Sequence, residues 1–269
     1  MFDSSMKTEA IPERVFALCK KLENGSMADK DAKAYFEPAS MAGSSPYYGA
    51  VKKAADQLGL IISNEDEKSI SLNIDPEYLE NMSALRRYIN DNLNRISGGQ
   101  FYQTTKTWMV NSEELFHVPK EAQSVSKMPE RLNKLNQDLK LDENGLRAWR
   151  FWASFLGFGY LQGMFFLPNA AVFICDVIIN SGLKPGTELT IGKFFDILYP
   201  KIDICIDKHE LEEKKINLAM SNALRTLNDL GKVQLKFVND RQDEWALTSM
   251  PLHQFGSFVT DIKIGENLL

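Results

Sequence analysis

A glycine set directly behind an amphipathic helix, and followed at once by strand-forming residues, constrains this chain more than any other feature. It occurs three times. Leu58-Gly59 precedes Leu60-Ile61-Ile62, Leu156-Gly157 precedes Phe158-Gly159-Tyr160, and Leu230-Gly231 precedes Lys232-Val233-Gln234-Leu235. Glycine just past the last helical turn adopts the left-handed conformation that closes a helix and turns the chain back. A helix closed in this way and continued as a β-ribbon is the second half of a winged-helix unit, whose first half is two further helices upstream.

The C-terminal copy has the fullest pattern. Between Ile216 and Leu230, the residues Ile216, Met220, Ala223, Leu224, Leu227 and Leu230 share one helical face, while Asn217, Ser221, Arg225 and Asn228 share the other. Val233, Leu235 and Phe237 alternate with Gln234 and Lys236 as in a half-buried strand, Asn239 to Asp243 reads as a polar turn, and Trp245 and Leu247 are expected to begin the return strand. Residues 170–179 and 191–198 are the expected upstream helices, the second capped by Thr190.

In the N-terminal copy the helices fall at 11–22, 28–36 and 46–58, with Pro12 in a first turn and Ser45 as a cap. Val51, Ala54, Ala55 and Leu58 form the buried face of the third helix, and residues 60–62 and 69–72 form the ribbon, turning through residues 64–67. The middle is less regular. A long helix is expected over 75–96, another over 101–110, an irregular connection over 113–127, and helices over 129–139 and 143–156, with 158–167 as a further ribbon. The predicted fold class is mainly α with small β-wings, an α+β chain of tandem winged-helix domains joined by a helical middle region. Its predicted organisation is an N-terminal winged helix over 1–75, a helical connector over 76–127, an aromatic-rich helical segment over 128–168 that reads as a degenerate winged helix, a C-terminal winged helix over 169–250 and a tail over 251–269.

Composition narrows the function classes. A net charge of −5 means that contact with nucleic acid must come from a local basic surface. Cys19, Cys175 and Cys205 are odd in number and widely spaced, which points to reduced, buried thiols rather than to a disulfide framework or a zinc site. The opening residues have no apolar run of the kind a signal peptide carries, and the apolar stretch 160–179 is broken by Gln162, Pro168, Asn169 and Asp176, so a cytoplasmic protein without membrane contact is expected.

A winged helix reads duplex DNA by laying its third helix in the major groove while the wing meets phosphate. The residue types that suit this are Lys214, Lys215, Asn217, Ser221, Asn222, Arg225, Asn228, Lys232, Lys236 and Arg241 in the C-terminal copy, and Tyr47, Tyr48, Lys52 and Lys53 in the N-terminal one. Acidic neighbours such as Glu212, Glu213, Asp229, Asp240, Asp243 and Glu244 oppose it. Winged helices also dock proteins, so protein contact stays open beside DNA contact. Trp149 and Trp152, in a helix apolar nearly all round, are candidates for a partner contact or for core.

Signatures of chemistry fail on inspection. Between Gly186 and Gly192-Lys193 lie five residues where a phosphate-binding loop has four, and Phe194 stands where such a loop needs Ser or Thr. Gly157, Gly159 and Gly163 miss the dinucleotide-binding spacing by one residue. His117, His209 and His253 are isolated, and Glu212-Glu213 and Asp243-Glu244 read as solvated charge. No catalysis, cofactor or metal is expected.

Residues 151–159, Phe-Trp-Ala-Ser-Phe-Leu-Gly-Phe-Gly, with 166–171, Phe-Leu-Pro-Asn-Ala-Ala, and the N-terminal run Asp56-Gln57-Leu58-Gly59-Leu60, resemble the DpdG-like accessory proteins of bacterial DNA-modification and phage-defence islands. The resemblance spans about half of the chain and brings no catalytic residues with it. It implies a non-enzymatic subunit working with nuclease, helicase or ATPase partners, and the thrice-used helix–Leu-Gly–strand pattern with polar outward faces adds the expectation that it positions such partners on double-stranded DNA. The alternatives are a scaffold that binds only proteins, and a dimeric winged-helix transcription regulator.

Overall fold

The computed structural model describes residues 2–3, 5–41, 46–117, 124–163 and 165–268. It is a mixed α+β structure with small sheets. The first unit runs α1 (Pro12–Leu22), β1 (Met27–Ala28), α2 (Asp29–Phe36), α3 (Tyr48–Gln57), β2 (Ile61–Asn64) and β3 (Ser69–Leu72). Its strands lie in the order β1-β3-β2, with Met27 opposite Ile70 and Ile61 opposite Leu72. Ser45, expected to cap α3, lies outside the described residues.

The middle begins with α4 (Met82–Asp91), α5 (Gln100–Val110) and α6 (Ser112–Phe116). It continues with α7 (Met128–Leu135), α8 (Glu143–Phe155) and the hairpin of β4 (Gly159–Gln162) with β5 (Phe165–Pro168). The single helix expected over 75–96 is broken into a 3-10 turn at Pro76–Leu79, α4, and a second 3-10 turn at Leu93–Ile96. Asn81 causes the first break: it is extended, and its side chain accepts from Ala84 N–H as the cap of a new helix. The 113–127 connection is irregular only in part, because α6 runs into it, and residues 118–123 lie outside the described ones. α7 stops short of 139, where Asn136 turns extended and its amide donates to Thr107 Oγ1 at 3.1 Å.

The last unit runs α9 (Ala171–Asn180), β6 (Glu188–Thr190), α10 (Ile191–Ile202), α11 (Lys208–Glu212), β7 (Lys215–Ile216), α12 (Leu218–Asp229), β8 (Val233–Lys236), β9 (Trp245–Leu247), β10 (Phe258–Val259) and β11 (Asp261–Ile264). Thr190 caps α10 by accepting from Lys193 N–H. One expectation is overturned here. Trp245 and Leu247 do not return beside Val233–Lys236. Their strand pairs in parallel with β7 and antiparallel with β10, and Trp245 buries its ring on Phe195, 5.0 Å between centroids. The partner of β8 is β11, with Ile262 opposite Leu235, so Asp261–Ile264, expected to lie in a tail over 251–269, completes the sheet. That sheet has the order β6-β11-β8, which repeats the N-terminal one: first strand outside, last strand in the centre.

All three glycine junctions close alike. Gly59, Gly157 and Gly231 have φ of +68°, +86° and +66°. The N–H of the residue after each glycine reaches back to a helical carbonyl: Leu60 to Ala55, Phe158 to Ala153, Lys232 to Leu227, each at 2.9 Å. Between the two outer units lies an aromatic core. Phe2 packs edge-on against Phe101 at 5.3 Å and Trp152 at 5.0 Å, and Trp149 lies 5.0 Å from Trp108 and 4.7 Å from Phe166.

Candidate nucleic-acid interface

The N-terminal unit presents a groove of about 1000 Å³ bounded by the start of α2, one side of α3 and the β2–β3 turn. Gly49, Lys52, Lys53 and Asp56 come from α3, Lys30 and Lys33 from α2, and Lys68 from the turn. Lys30, Lys33, Lys53 and Lys68 are exposed. The walls are held by Asp29. Its N–H donates to Lys68 O at 2.8 Å, and its carboxylate accepts from Lys52 Nζ at 2.7 Å and from Tyr48 Oη at 2.8 Å. Burial alone would raise the Asp29 carboxyl, but these two bonds and the charges of Lys52 and Lys33 outweigh it and hold it below its ordinary value.

Of the four N-terminal residues expected to face a duplex, only Lys53 is exposed, with a long ion pair to Asp3 at 3.9 Å. Lys52 lines the groove but is tied to Asp29. Tyr48 is buried on the inner side of α3. Tyr47 is half-buried under the guanidinium of Arg14, 4.2 Å from its ring centre, and its hydroxyl donates to Phe36 O.

The C-terminal expectation is overturned more fully, because the polar face of α12 points inward. Asn217 is buried: its amide donates to Cys205 O at 2.8 Å while its oxygen caps Met220 N–H at 3.0 Å. Ser221 is buried between Ile216 O, to which it donates at 2.9 Å, and Thr248 N–H, from which it accepts at 2.9 Å. Arg225 is 2% exposed and donates to Thr248 O at 2.9 Å and Gly256 O at 3.1 Å, while burial pulls its guanidinium below its ordinary pKa. Asn222 donates to Pro168 O, and Asn228 accepts from Leu235 N–H. The physical reason is the segment between β8 and β11, which lies over α12 and offers carbonyls that only polar side chains can satisfy.

The remaining basic residues are spent locally. Lys214 pairs with Asp243 at 2.7 Å, Lys236 with Glu188 at 2.9 Å and Arg241 with Asp261 at 2.8 Å, and Lys232 donates to Asn267 O and Leu268 O. Lys215 alone of this set is exposed without an ion pair to a described residue. Trp149 and Trp152 are fully buried, donating to Thr105 Oγ1 at 2.9 Å and Ala10 O at 2.6 Å, so neither is a partner contact in this fold.

Lys30, Lys33 and Lys68 carry no sequence motif, and sequence reasoning passed them over. They converge only when Ala28 pairs with Ser69 and draws the turn onto α2. Elsewhere, Cys19, Cys175 and Cys205 are free and buried, and burial pushes the Cys19 thiol up to about 12. Among the described residues no group of three or more potential metal ligands converges, and no helix is long and apolar enough to cross a membrane.

Comparison with known proteins gives no matching family model, no matching curated protein and no matching solved structure.

Proposed function

We propose that the chain is a non-catalytic adaptor of tandem winged-helix units that binds double-stranded DNA through the α3 groove of its N-terminal unit. The observation that carries this reading is an exposed third helix flanked by a strand turn, with Lys30, Lys33, Lys53 and Lys68 around one groove. The order helix, strand, helix, helix, strand, strand, with the last strand central, supports assigning the winged-helix class to the N-terminal unit, and the C-terminal unit follows the same order with α11, β7, β9 and β10 inserted into it. In such a unit the third helix and the wing are the parts that meet a duplex. With α12 covered, the C-terminal unit acts as structural support in this reading. Placement in a bacterial anti-phage defence or DNA-modification system, beside nuclease, helicase or ATPase subunits, rests on the resemblance of residues 151–159 and 166–171. The test is an anisotropy titration with duplex DNA at low salt, in which Lys53→Glu and Lys30→Glu each weaken binding several-fold while the fold, followed by circular dichroism, is kept. Absence of binding by the chain and by its complex overturns the reading.

A scaffold that binds only proteins is favoured by a different observation. Phe237 and Phe258 expose their rings 6.3 Å apart on the C-terminal unit, and Val238 is exposed beside them. This reading expects co-purification of a partner that survives high salt and nuclease treatment, together with no affinity for DNA.

A further inference from the structure

The stripe of α3 that lines the groove is Gly49, Lys52, Lys53 and Asp56, the i, i+3, i+4, i+7 set of one helical face. Among the side chains that read base edges, Arg, Asn and Gln hold two atoms of a base at once in a fixed fork, whereas Lys offers a flexible point charge that serves phosphate as readily as guanine. No Arg, Asn or Gln stands on this stripe. Gly49 has no side chain, and a Cβ placed there would meet nothing within 4 Å, so the surface is open at that point. Lys52 cannot extend without leaving Asp29. Asp56 can accept only from a base amino group, on cytosine or adenine, and repels the phosphates on either side. Asn64, on the wing, already accepts from Glu67 N–H at 3.2 Å.

What remains is a set of point charges on three elements: Lys30 and Lys33 on α2, Lys53 on α3 and Lys68 in the turn. Lys68 sits in the left-handed region, with φ of +48°, and its carbonyl is bonded to the first N–H of α2, so its place relative to Lys30 is set by the fold. Ammonium groups so arranged fit phosphate oxygens, which fix position without reporting sequence. Asp29, Asp56, Glu65 and Glu67 line the same groove and subtract from the attraction.

The geometry points to a duplex contact made on the sugar-phosphate backbone alone, sequence-independent and steeply salt-dependent, an inference that rests on the duplex-binding reading above. The experiment has two arms, both with the full chain. One is selection from a random pool of 20-base-pair duplexes; the other is anisotropy with one duplex at 50 and 200 mM salt. The first is expected to enrich no motif. The second is expected to lose affinity by roughly 10- to 100-fold, from a slope of about −0.9 per phosphate over about two to four phosphates, the lower end holding where the groove's acids offset its lysines. Lys30→Glu and Lys68→Glu should both flatten that slope. An enriched motif, or a loss of less than about threefold between the two salts, overturns backbone recognition and leaves duplex binding standing. Absence of binding at 50 mM overturns both.

Discussion

The guanidinium of Arg86 grips the carboxylate of Asp176 with two prongs, Nε to Oδ2 at 2.7 Å and Nη2 to Oδ1 at 3.1 Å, across 90 residues of sequence. Asp176 is almost fully buried on α9, and Asn90, on α4 with Arg86, donates both to it and to Leu156 O at the end of α8. One network thus pins the connector helix to the C-terminal unit and to the middle glycine junction. Removing one partner of a buried pair leaves a charge without compensation. Arg86→Met is expected to cost about 2–4 kcal/mol in urea unfolding, and the double variant Arg86→Met/Asp176→Leu less than that. A double variant no better than the single one would deny that the stranded charge is the cause.

The glycine junctions share a geometry but not a cost of substitution. An added Cβ at Gly157 would lie 2.6 Å from Val172 Cβ and 2.7 Å from Phe173 N, whereas at Gly231 it would meet nothing within 4 Å. Gly231→Ala therefore carries only the left-handed backbone penalty of about 1–2 kcal/mol. Gly157→Ala adds a clash with a packed helix and is expected to cost roughly 3–4 kcal/mol. Thermal unfolding of the two variants side by side decides this, and equal costs would refute it. The same packing explains why the run Leu156-Gly157-Phe158-Gly159 has glycine twice: a Cβ at Gly159 would strike Leu167 O at 2.3 Å.

What the sequence made legible follows the range of the interactions. The glycine junctions are closed by bonds to residues three and five back, so their pattern can be read locally, and so can the Thr190 cap. The pairing of Val233–Lys236 with Asp261–Ile264 skips a whole inserted segment, and the nearer Trp245–Leu247 looked like the better partner. The amphipathic reading separated apolar from polar positions along α12, but Ile216 and Asn217 precede the helix and Leu230, placed on the apolar face, is exposed. Amphipathicity cannot say whether a polar face meets water or a second layer of backbone, and here Thr248 and Gly256 supply that layer. Lys52 and Lys53 can be picked out from the sequence, but Lys30, Lys33 and Lys68 cannot, because a two-residue strand, Met27–Ala28, brings them to the same groove.

Glu210 gives the C-terminal unit a pH dependence. Its carboxylate accepts from Asp207 N–H and from Asn217, the cap of α12. Burial pushes it up from 4.5 to about 7, against those two bonds, with Asp207 adding repulsion and Lys215 attraction. A carboxyl raised in the folded state binds its proton more tightly there than in the unfolded chain. Its contribution is therefore complete below about 4.5 and is lost as pH rises to about 7. Glu210→Gln keeps an acceptor and removes the titration. Allowing for partial exposure, it should gain on the order of 1–2 kcal/mol over the parent between pH 5 and pH 8 in parallel unfolding curves. Parallel pH profiles for the two proteins would exclude Glu210 as the titrating group.

Charge reversal at Arg225 and at Lys53 separates a structural cation from one free to bind. Arg225→Glu removes two hydrogen bonds and sets a buried carboxylate against the carbonyls of Thr248 and Gly256, with no cation among its hydrogen-bond partners to offset it. A loss of 3 kcal/mol or more is expected, seen as a collapse of the thermal transition. Lys53 is exposed, and its ion pair with Asp3, at 3.9 Å, is a surface contact worth little. Lys53→Glu should therefore leave stability within about 0.5 kcal/mol while weakening duplex binding. Should Arg225→Glu instead melt like the parent and by itself abolish DNA binding, α12 rather than α3 would be the helix that meets the duplex.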